Sequence, residues 1–246
     1  MSKPLIRVSV LAIGATLGFS SVALAVNTFV GTAGNDAIVG SSFDDDITTL
    51  GGDDTVHANS GVDTVDGGPG VDRLFGGSGD DVIVGGPDED FFYGEGGDDT
   101  LDDTVGSTPS TGRSHFYGGE GNDHLATRKA PSRMDGGPGD DELQGGTKSD
   151  LLVDHSGNDV FVGRGGANVI DATDTLVLGR AGLDRIFGGE GNDTIDSADG
   201  GVDEISCWLG QSDAVTMDAT LDRFIDHFGN PVATAAAAGC ETVRFS

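Results

Sequence analysis

Apolar residues recur along this chain at a fixed interval of nine positions. The repeated unit reads glycine, glycine, any, glycine, any, aspartate, any, apolar, any, as in GGSGDDVIV at 76–84 and GGEGNDTID at 188–196. A helix would need apolar residues every three or four positions, so the interval does not predict helices. In nineteen units the eighth position is aliphatic or aromatic: Ile38, Ile47, Val56, Val65, Leu74, Ile83, Phe92, Leu101, Phe116, Leu125, Met134, Leu143, Leu152, Phe161, Ile170, Ile186, Ile195, Ile205 and Val215.

This interval predicts short strands stacked in a solenoid. Side chains alternate between the two faces of a strand, so a three-residue strand with only its middle side chain inward gives one apolar residue per unit. A fixed short period is typical of repeat proteins in which each unit touches only its neighbours. From residue 31 to residue 102 the units follow one another without a residue gained or lost, which favours regular stacking.

Aspartate stands two places before the apolar residue in sixteen of the units. Calcium binds carboxylate and backbone carbonyl oxygens alike, and glycines at positions one, two and four let the backbone curl so that carbonyls point into one cavity. A solvated acidic surface explains any one of these aspartates alone, but not all of them in one phase. The predicted calcium ligands are Asp36, Asp45, Asp54, Asp63, Asp72, Asp81, Asp90, Asp99, Asp123, Asp141, Asp150, Asp159, Asp184, Asp193, Asp203 and Asp213.

At these glycines and aspartates the chain resembles the RTX, or haemolysin-type, calcium-binding repeat proteins, over nearly all of residues 31–216. The resemblance implies an all-β fold, a parallel β-roll (a right-handed β-solenoid) in which two repeats make one coil. The strands would stack into two parallel sheets, with multiple calcium ions in the turns between coils. Residues 26–216 are the predicted roll, and the insertions 103–108 and 172–178 are interpreted as loops.

Because alternate units share a sheet in such a roll, the sixth-position residues fall into two rows. One row is all aspartate from Asp45 to Asp203, whereas the other is interrupted by Ser114, Ser132 and Asn168. The sequence therefore predicts uneven calcium binding in the two rows. An alternative stays open, in which the insertion at 172–178 is a shortened half-coil that exchanges the rows beyond Asn168.

The charge balance adds an expectation about the metal-free chain. The formal net charge is −29, from 13 basic and 42 acidic residues, and the chain has 43 glycines. Such a composition is typical of a disordered polyanion, which we expect for the chain without calcium because its crowded carboxylates repel one another. The negative charge also disfavours nucleic acid as a partner.

Residues 1–25 are predicted to be a signal peptide. Lys3 and Arg7 precede a short apolar run, and Ala23-Leu24-Ala25 fits a small-residue cleavage site. The protein is therefore expected to be secreted and extracellular, with no membrane span after signal removal. An uncleaved membrane anchor is the alternative.

Two cysteines, Cys207 and Cys240, are predicted to form a disulfide, since an exported chain meets an oxidising compartment. Two unpaired buried thiols remain the alternative. Both the signal and the cysteine pair depart from RTX toxins, proteases and lipases. The C-terminal part, from CWLGQSDAVTMD to GCETVRF, resembles instead the ending of small secreted actinobacterial calcium-binding proteins, which usually carry no assigned activity.

Residues 217–246 leave the repeat and are interpreted as a C-terminal cap over the last coil. Leu221, Phe224, Ile225 and Phe228 recur at helical spacing after Asp218, which suggests a helix, and Glu241 to Phe245 is predicted to be a strand. A ligand-binding module in this tail is a weaker alternative.

Catalysis has little support in the sequence, because the five histidines fall at different phases and no nucleophile motif is present. One predicted ligand patch, on the outer face, consists of Phe91, Tyr93, His115, Tyr117 and Arg133. It could bind an extracellular polysaccharide or a cell surface, although ordinary strand packing explains it as well. We expect a calcium-binding roll that folds on calcium binding, with a structural or adhesive role and no enzymatic activity. The alternative is a polysaccharide-active protein of the uronate lyase or epimerase type.

Overall fold

The computed structural model describes residues 26–103, 112–128, 130–173, 182–207, 212–218, 222–226, 230–232, 240 and 242–245. The predicted signal peptide and most of both insertions lie outside these residues. Every regular element within them is a β-strand, which confirms the all-β expectation. No helix in this described part of the chain is long and apolar enough to cross a membrane.

The strands form two parallel sheets of eleven strands each. Sheet A contains β1 (Asn27–Val30), β3 (Asp45–Thr48), β5 (Thr64–Asp66), β7 (Val82–Val84), β9 (Thr100–Asp103), β11 (His124–Thr127), β13 (Glu142–Gln144), β15 (Val160–Val162), β17 (Arg185–Phe187), β19 (Glu204–Ser206) and β21 (Arg223–Phe224). Sheet B contains β2 (Ala37–Val39), β4 (Thr55–Ser60), β6 (Arg73–Ser78), β8 (Phe91–Gly96), β10 (Ser114–Glu120), β12 (Ser132–Asp135), β14 (Leu151–Val153), β16 (Val169–Asp171), β18 (Thr194–Asp196), β20 (Ala214–Met217) and β22 (Thr242–Phe245). Each strand pairs with the strand two places away in sequence, so two repeats make one coil of a parallel β-roll, as predicted.

The core is a single column of eighth-position side chains between the two sheets. All nineteen predicted core residues are buried, whereas their neighbours at positions seven and nine are half-buried or exposed on most strands. Equivalent residues stack along the roll, as Phe92 and Phe116 show with parallel rings whose centroids are 4.4 Å apart. One apolar residue per unit therefore gives a continuous but thin core.

Both insertions leave the register of the sheets unchanged. Across the first, Phe92 of β8 pairs with Phe116 of β10. Across the second, Phe161 of β15 pairs with Ile186 of β17, and β16 likewise continues to β18. A half-coil at 172–178 would have moved β17 into sheet B, so that alternative is wrong and the two rows keep their identity to the end of the roll.

The C-terminal segment continues the sheets instead of forming the predicted helix. In β21, Phe224 pairs with Ile205 and occupies the eighth-position column, while Ile225 forms an antiparallel bridge with Pro231. The helical spacing was misleading because Asp222, Arg223 and Phe224 repeat the aspartate–any–apolar order of the units without their glycines. The predicted strand near the C-terminus is confirmed as β22, which pairs with β20.

The predicted disulfide is present between Cys207 and Cys240, whose Cα atoms are 5.2 Å apart. Cys207 follows β19 directly, and Cys240 comes shortly before β22. The bond therefore joins the last coil to the preceding one, and the alternative of two unpaired thiols is excluded.

Candidate calcium-binding turns

The turns form two rows along the roll. We call edge A the row of turns that precede the strands of sheet A, and edge B the row that precedes the strands of sheet B. At edge A each sixth-position residue donates its backbone N–H to the aspartate Oδ1 one coil further on, for example Asp63 to Asp81 and Asp81 to Asp99, both at 2.8 Å. This ladder continues across both insertions, from Asp99 to Asp123 and from Asp159 to Asp184.

The second oxygen of these aspartates is buried without a hydrogen-bond partner among the described residues. The atoms concerned are the Oδ2 of Asp54, Asp63, Asp72, Asp81, Asp90, Asp99, Asp123, Asp141, Asp159, Asp193 and Asp203. A buried carboxylate oxygen without a partner is strongly unfavourable, and nearly all such groups in proteins are satisfied by a donor or a cation. The repetition of one orphaned atom in turn after turn indicates that the same ligand belongs beside each.

A first-position glycine forms the floor of seven of these sites, whereas the units of Asp54, Asp63, Asp159 and Asp203 have another residue there. A Cβ placed on Gly94 would lie 2.2 Å from Asp99 Oδ2 and 2.5 Å from the carbonyl oxygen of Gly118 in the next coil. Gly118 stands in the same relation to Asp123 Oδ2 and to the next first-position carbonyl. In these turns the glycine leaves this space open, so a carboxylate and a backbone carbonyl face one cavity, which is the mixed oxygen donor set that calcium accepts.

The second and fourth positions produce the curl of the turn. Most glycines at these positions adopt positive φ, for example Gly77 at 115° and Gly79 at 120°. Five other residues adopt positive φ, all at the second or fourth position: Leu50, Asn59, Asp88, Glu95 and Arg164. Since side chains disfavour this conformation, stacking against the neighbouring coils must impose the turn even where the glycine has been lost.

Burial strongly shifts the ionisation of the sixth-position aspartates. Together with the equivalent carboxylates of neighbouring coils, it raises the pKa of Asp72, Asp81 and Asp99 to about 7. For the same reasons the pKa of Asp90 and of Asp203 is raised to about 8, against the opposing effect of the backbone N–H bond. Without a cation the turn therefore favours a neutral carboxyl, whereas a bound cation would favour the charged form.

Edge B is interrupted in its middle third, as the sequence predicts. The backbone N–H of Asp90 donates to the hydroxyl oxygen of Ser114 in the next coil at 3.4 Å. The Ser114 hydroxyl in turn donates to Asp103 at 2.7 Å. Further on, Asp150 accepts from the backbone N–H and hydroxyl of Ser132 through Oδ1, and from the Gly146 N–H through Oδ2. Asp150 thus accepts three hydrogen bonds from protein donors, and neither of its oxygens lacks a partner.

The structure adds two sets of residues that the sequence reasoning missed. Asp222 extends edge A, because its Oδ1 accepts the backbone N–H of Asp203 at 3.1 Å. The fifth-position Asp and Asn side chains form a second, exposed ladder that runs in the opposite sense, as where Asp98 accepts from the N–H of Asn122. Their signal was visible in the sequence as the frequent Asp or Asn directly before the sixth-position aspartate.

The predicted outer-face patch is assembled on sheet B. The rings of Phe91 and His115 stack at 4.9 Å, those of Tyr93 and Tyr117 at 5.1 Å, and Arg133 is the register neighbour of His115. Further stacking extends the tyrosine row through Phe75 to His57, and Arg73 lies over Phe91. Because the rings stack face to face along the roll, those inside each row expose mainly their edges.

A profile of the RTX calcium-binding nonapeptide repeat, built on four copies, matches residues 30–65, 66–101, 110–128, 135–170 and 171–201. The matched segments cover more than half of the chain and contain most of the turns of both edges. No curated protein matches the chain.

Proposed function

Because the chain belongs to the RTX calcium-binding nonapeptide-repeat family, we propose that calcium ions bound between successive turns fold this protein into its roll. Membership of the family establishes calcium binding, and calcium-dependent folding is what we propose in addition. The observation that supports the proposal is the row of buried aspartate Oδ2 atoms without hydrogen-bond partners among the described residues, which at Asp72, Asp81, Asp99 and Asp123 lie beside a carbonyl oxygen of the following coil. With so thin a core, the free energy of ion binding becomes free energy of folding.

Circular dichroism during a calcium titration of the chain without residues 1–25 tests this proposal. In excess chelator we expect a disordered spectrum, and calcium should restore the sheet signal and a cooperative thermal transition. The midpoint should lie at about 0.1 to 1 mM, the range of other extracellular calcium modules. Magnesium at equal concentration is the control, since it demands smaller octahedral sites. A full sheet signal and cooperative melting in chelator would refute calcium-dependent folding.

The physiological role that we propose is structural or adhesive, outside the cell. Extracellular calcium is high enough to saturate sites of millimolar or submillimolar affinity, so the protein would fold only after export. The disulfide Cys207–Cys240 supports export directed by residues 1–25, since disulfides persist in oxidising compartments outside the cytosol. We propose no catalytic activity, because nearly all of residues 31–216 are taken up by the repeat.

A second candidate function is binding or processing of an anionic polysaccharide on the outer face of sheet B. The observation that favours it is one row, Arg73, Phe91, His115 and Arg133, in which cations flank aromatic rings on an otherwise acidic protein. Burial lowers the pKa of His115, so that its imidazole is neutral and able to accept a proton near pH 7. A uronate lyase or epimerase would need such a base, with Tyr117 nearby as a proton donor and an arginine to neutralise the substrate carboxylate.

Turnover and binding separate this candidate from a structural role. Alginate and polygalacturonate are offered to the calcium-loaded protein, with ultraviolet absorbance for unsaturated products and calorimetry for binding. Activity that falls with His115→Ala and Tyr117→Phe supports an enzyme, and binding that weakens only with Arg133→Gln supports a binding module. If the protein neither turns over nor binds uronate at millimolar concentration, the candidate function is refuted and the aromatic rows are ordinary packing of neighbouring strands.

A further inference from the structure

One turn of edge A contains a third buried carboxylate. Asp141, Asp154 and Asp159 each offer one carboxylate oxygen, and these three atoms all lie within 4.8 Å of one another. The three residues are 2%, 2% and 1% exposed. Among the residues that the structure describes, no other group of three or more His, Cys, Asp or Glu side chains is brought this close.

Asp154 occupies a first position, where most units of the roll have glycine. In the preceding coil, a Cβ on Gly118 would meet Asp123 Oδ2 at 2.3 Å and the Gly136 carbonyl oxygen at 2.5 Å. A Cβ on Gly136 would instead meet Asp141 Oδ2 at 2.4 Å and Asp154 Oδ1 at 2.3 Å. A carboxylate oxygen therefore takes the place that a neutral backbone carbonyl has in the regular turns.

Backbone N–H groups hold the three carboxylates in place, with one oxygen of each close to the other two. Asp154 is fixed by the backbone N–H of Gly137, 2.9 Å from Oδ1, and by that of Ser156, 3.1 Å from Oδ2. Asp141 and Asp159 accept the ladder N–H on one oxygen each, while the Oδ2 of both is buried without a hydrogen-bond partner. Asp141 and Asp159 thus each offer an oxygen without a hydrogen bond, while each oxygen of Asp154 accepts only one and keeps a lone pair for a cation.

We infer that Asp141, Asp154 and Asp159 form a distinct calcium site, the tightest in the protein and the first to fill. The inference rests on the proposed function and deepens it for one turn. Ligands on opposite sides of a calcium ion are up to about 5 Å apart, since each Ca–O distance is about 2.3 to 2.6 Å, so oxygens within 4.8 Å of one another fit around one ion. A third negative ligand on a rigid backbone raises calcium affinity, because ligand charge and site rigidity set that affinity.

Competition against a chromophoric calcium chelator of micromolar affinity tests this inference. We expect the wild-type protein to take one calcium ion about tenfold or more tightly than the rest. Asp154→Gly, which restores the residue most common at this position, and Asp154→Asn, which keeps the size of the side chain, should both lose this tight step. The matched control is Asp140→Asn, which removes one charge from an exposed neighbour and leaves the three carboxylates in place.

Circular dichroism at saturating calcium is the control that tests whether each variant still forms the roll. Loss of the tight step in both Asp154 variants, with the step retained in Asp140→Asn, supports the inference. It is overturned if the wild type has no separate tight step, or if either Asp154 variant keeps it. Either outcome leaves calcium-dependent folding standing as long as the weaker ions still bind and restore the sheet signal, whereas absence of all calcium binding would refute the proposed function itself.

Discussion

At the scale of single residues, the two oxygens of a sixth-position aspartate such as Asp99 have different roles. Oδ1 accepts a backbone N–H from the preceding coil and so contributes to stacking, as Asp99 does for Asp81. Oδ2 faces the first-position glycine and the next carbonyl and so belongs to the ion site. A substitution that keeps an oxygen at Oδ1 but changes Oδ2 should therefore spare stacking and impair calcium binding.

Asp99→Asn makes this separation testable. The variant keeps one oxygen for the Asp81 N–H but loses the charge that two adjacent ion sites share, so the calcium concentration at the folding midpoint should rise at least about threefold. The measurement is the calcium titration of the sheet signal. Asp98→Asn is the matched control, since it removes the same charge from the exposed ladder while the amide oxygen still accepts from Asn122. Equal shifts in both variants would mean that overall charge, and not the ion site, sets the midpoint.

At the scale of the strands and turns, the two edges differ in how many complete sites they contain. Edge A carries aspartates in an unbroken row from Asp45 to Asp203. Edge B has Ser114, Ser132 and Asn168 in three of four successive turns. The protein donors on Asp150 widen the interruption. Calcium should therefore be distributed unevenly over the roll.

Anomalous diffraction from crystals grown in calcium would measure this distribution. We expect full peaks between Asp63 and Asp81 on edge A, and no peak beside Ser114 or Ser132 on edge B. Peaks beside both serines as strong as the one beside Asp63 would contradict the assignment. The prediction depends on the strand register, which is continuous across both insertions.

Most of the strands and turns could be predicted from the sequence, and a few could not. The strands, their alternation between sheets and the buried column follow from one apolar residue every nine positions, because a strand has only two faces. Asp222 and Phe224 were not recognised as part of the repeat because their unit lacks glycines, and their position depends on the pairing of β21 with β19. Asp154 was not predicted as a calcium ligand because it stands at the first position of its unit, where most units have glycine. It can act as a ligand only because Asp141 of the neighbouring coil lies close to it.

At the scale of the whole molecule, protons and calcium compete for the same buried carboxyls. An aspartate has a pKa of about 3.9 in an unfolded chain. Burial raises the pKa of Asp72 and Asp99 to about 7 and that of Asp90 to about 8 in the roll without ions. Each group thus binds its proton more tightly when folded, so its contribution to stability is complete below about pH 4 and is lost as the pH rises through 7 to 8.

The metal-free protein should accordingly become more ordered in mild acid. In excess chelator we expect a stronger sheet signal at about pH 4.5 than at pH 8.5, and in saturating calcium the opposite order of melting temperatures, because calcium needs the charged carboxylates. Melting curves at both pH values, with and without calcium, provide the measurement. A sheet signal in chelator that grows as the pH rises would show that the buried carboxyls do not control folding.

The disulfide should stabilise one end of the roll only. Cys207→Ser with Cys240→Ser removes a link across 33 residues, so the region from β19 to β22 should lose protection from hydrogen exchange, while residues 31–102 keep theirs in calcium. Mass spectrometry of exchanged peptides measures both regions in one experiment. Uniform loss of protection along the roll would indicate that its coils unfold as a single unit.

The position of that bond also determines how the molecule responds to a pull on its C-terminus. The backbone hydrogen bonds between strands run along the roll, which at about 4.8 Å per strand is on the order of 50 Å long. Tension on the tail would first peel β22 from β20, but the load would then pass through Cys240 to Cys207 and enter the roll at the end of β19. The chain between the two cysteines would carry no tension, so the disulfide removes residues 208–239 from the length of chain that a pull from this end can extend.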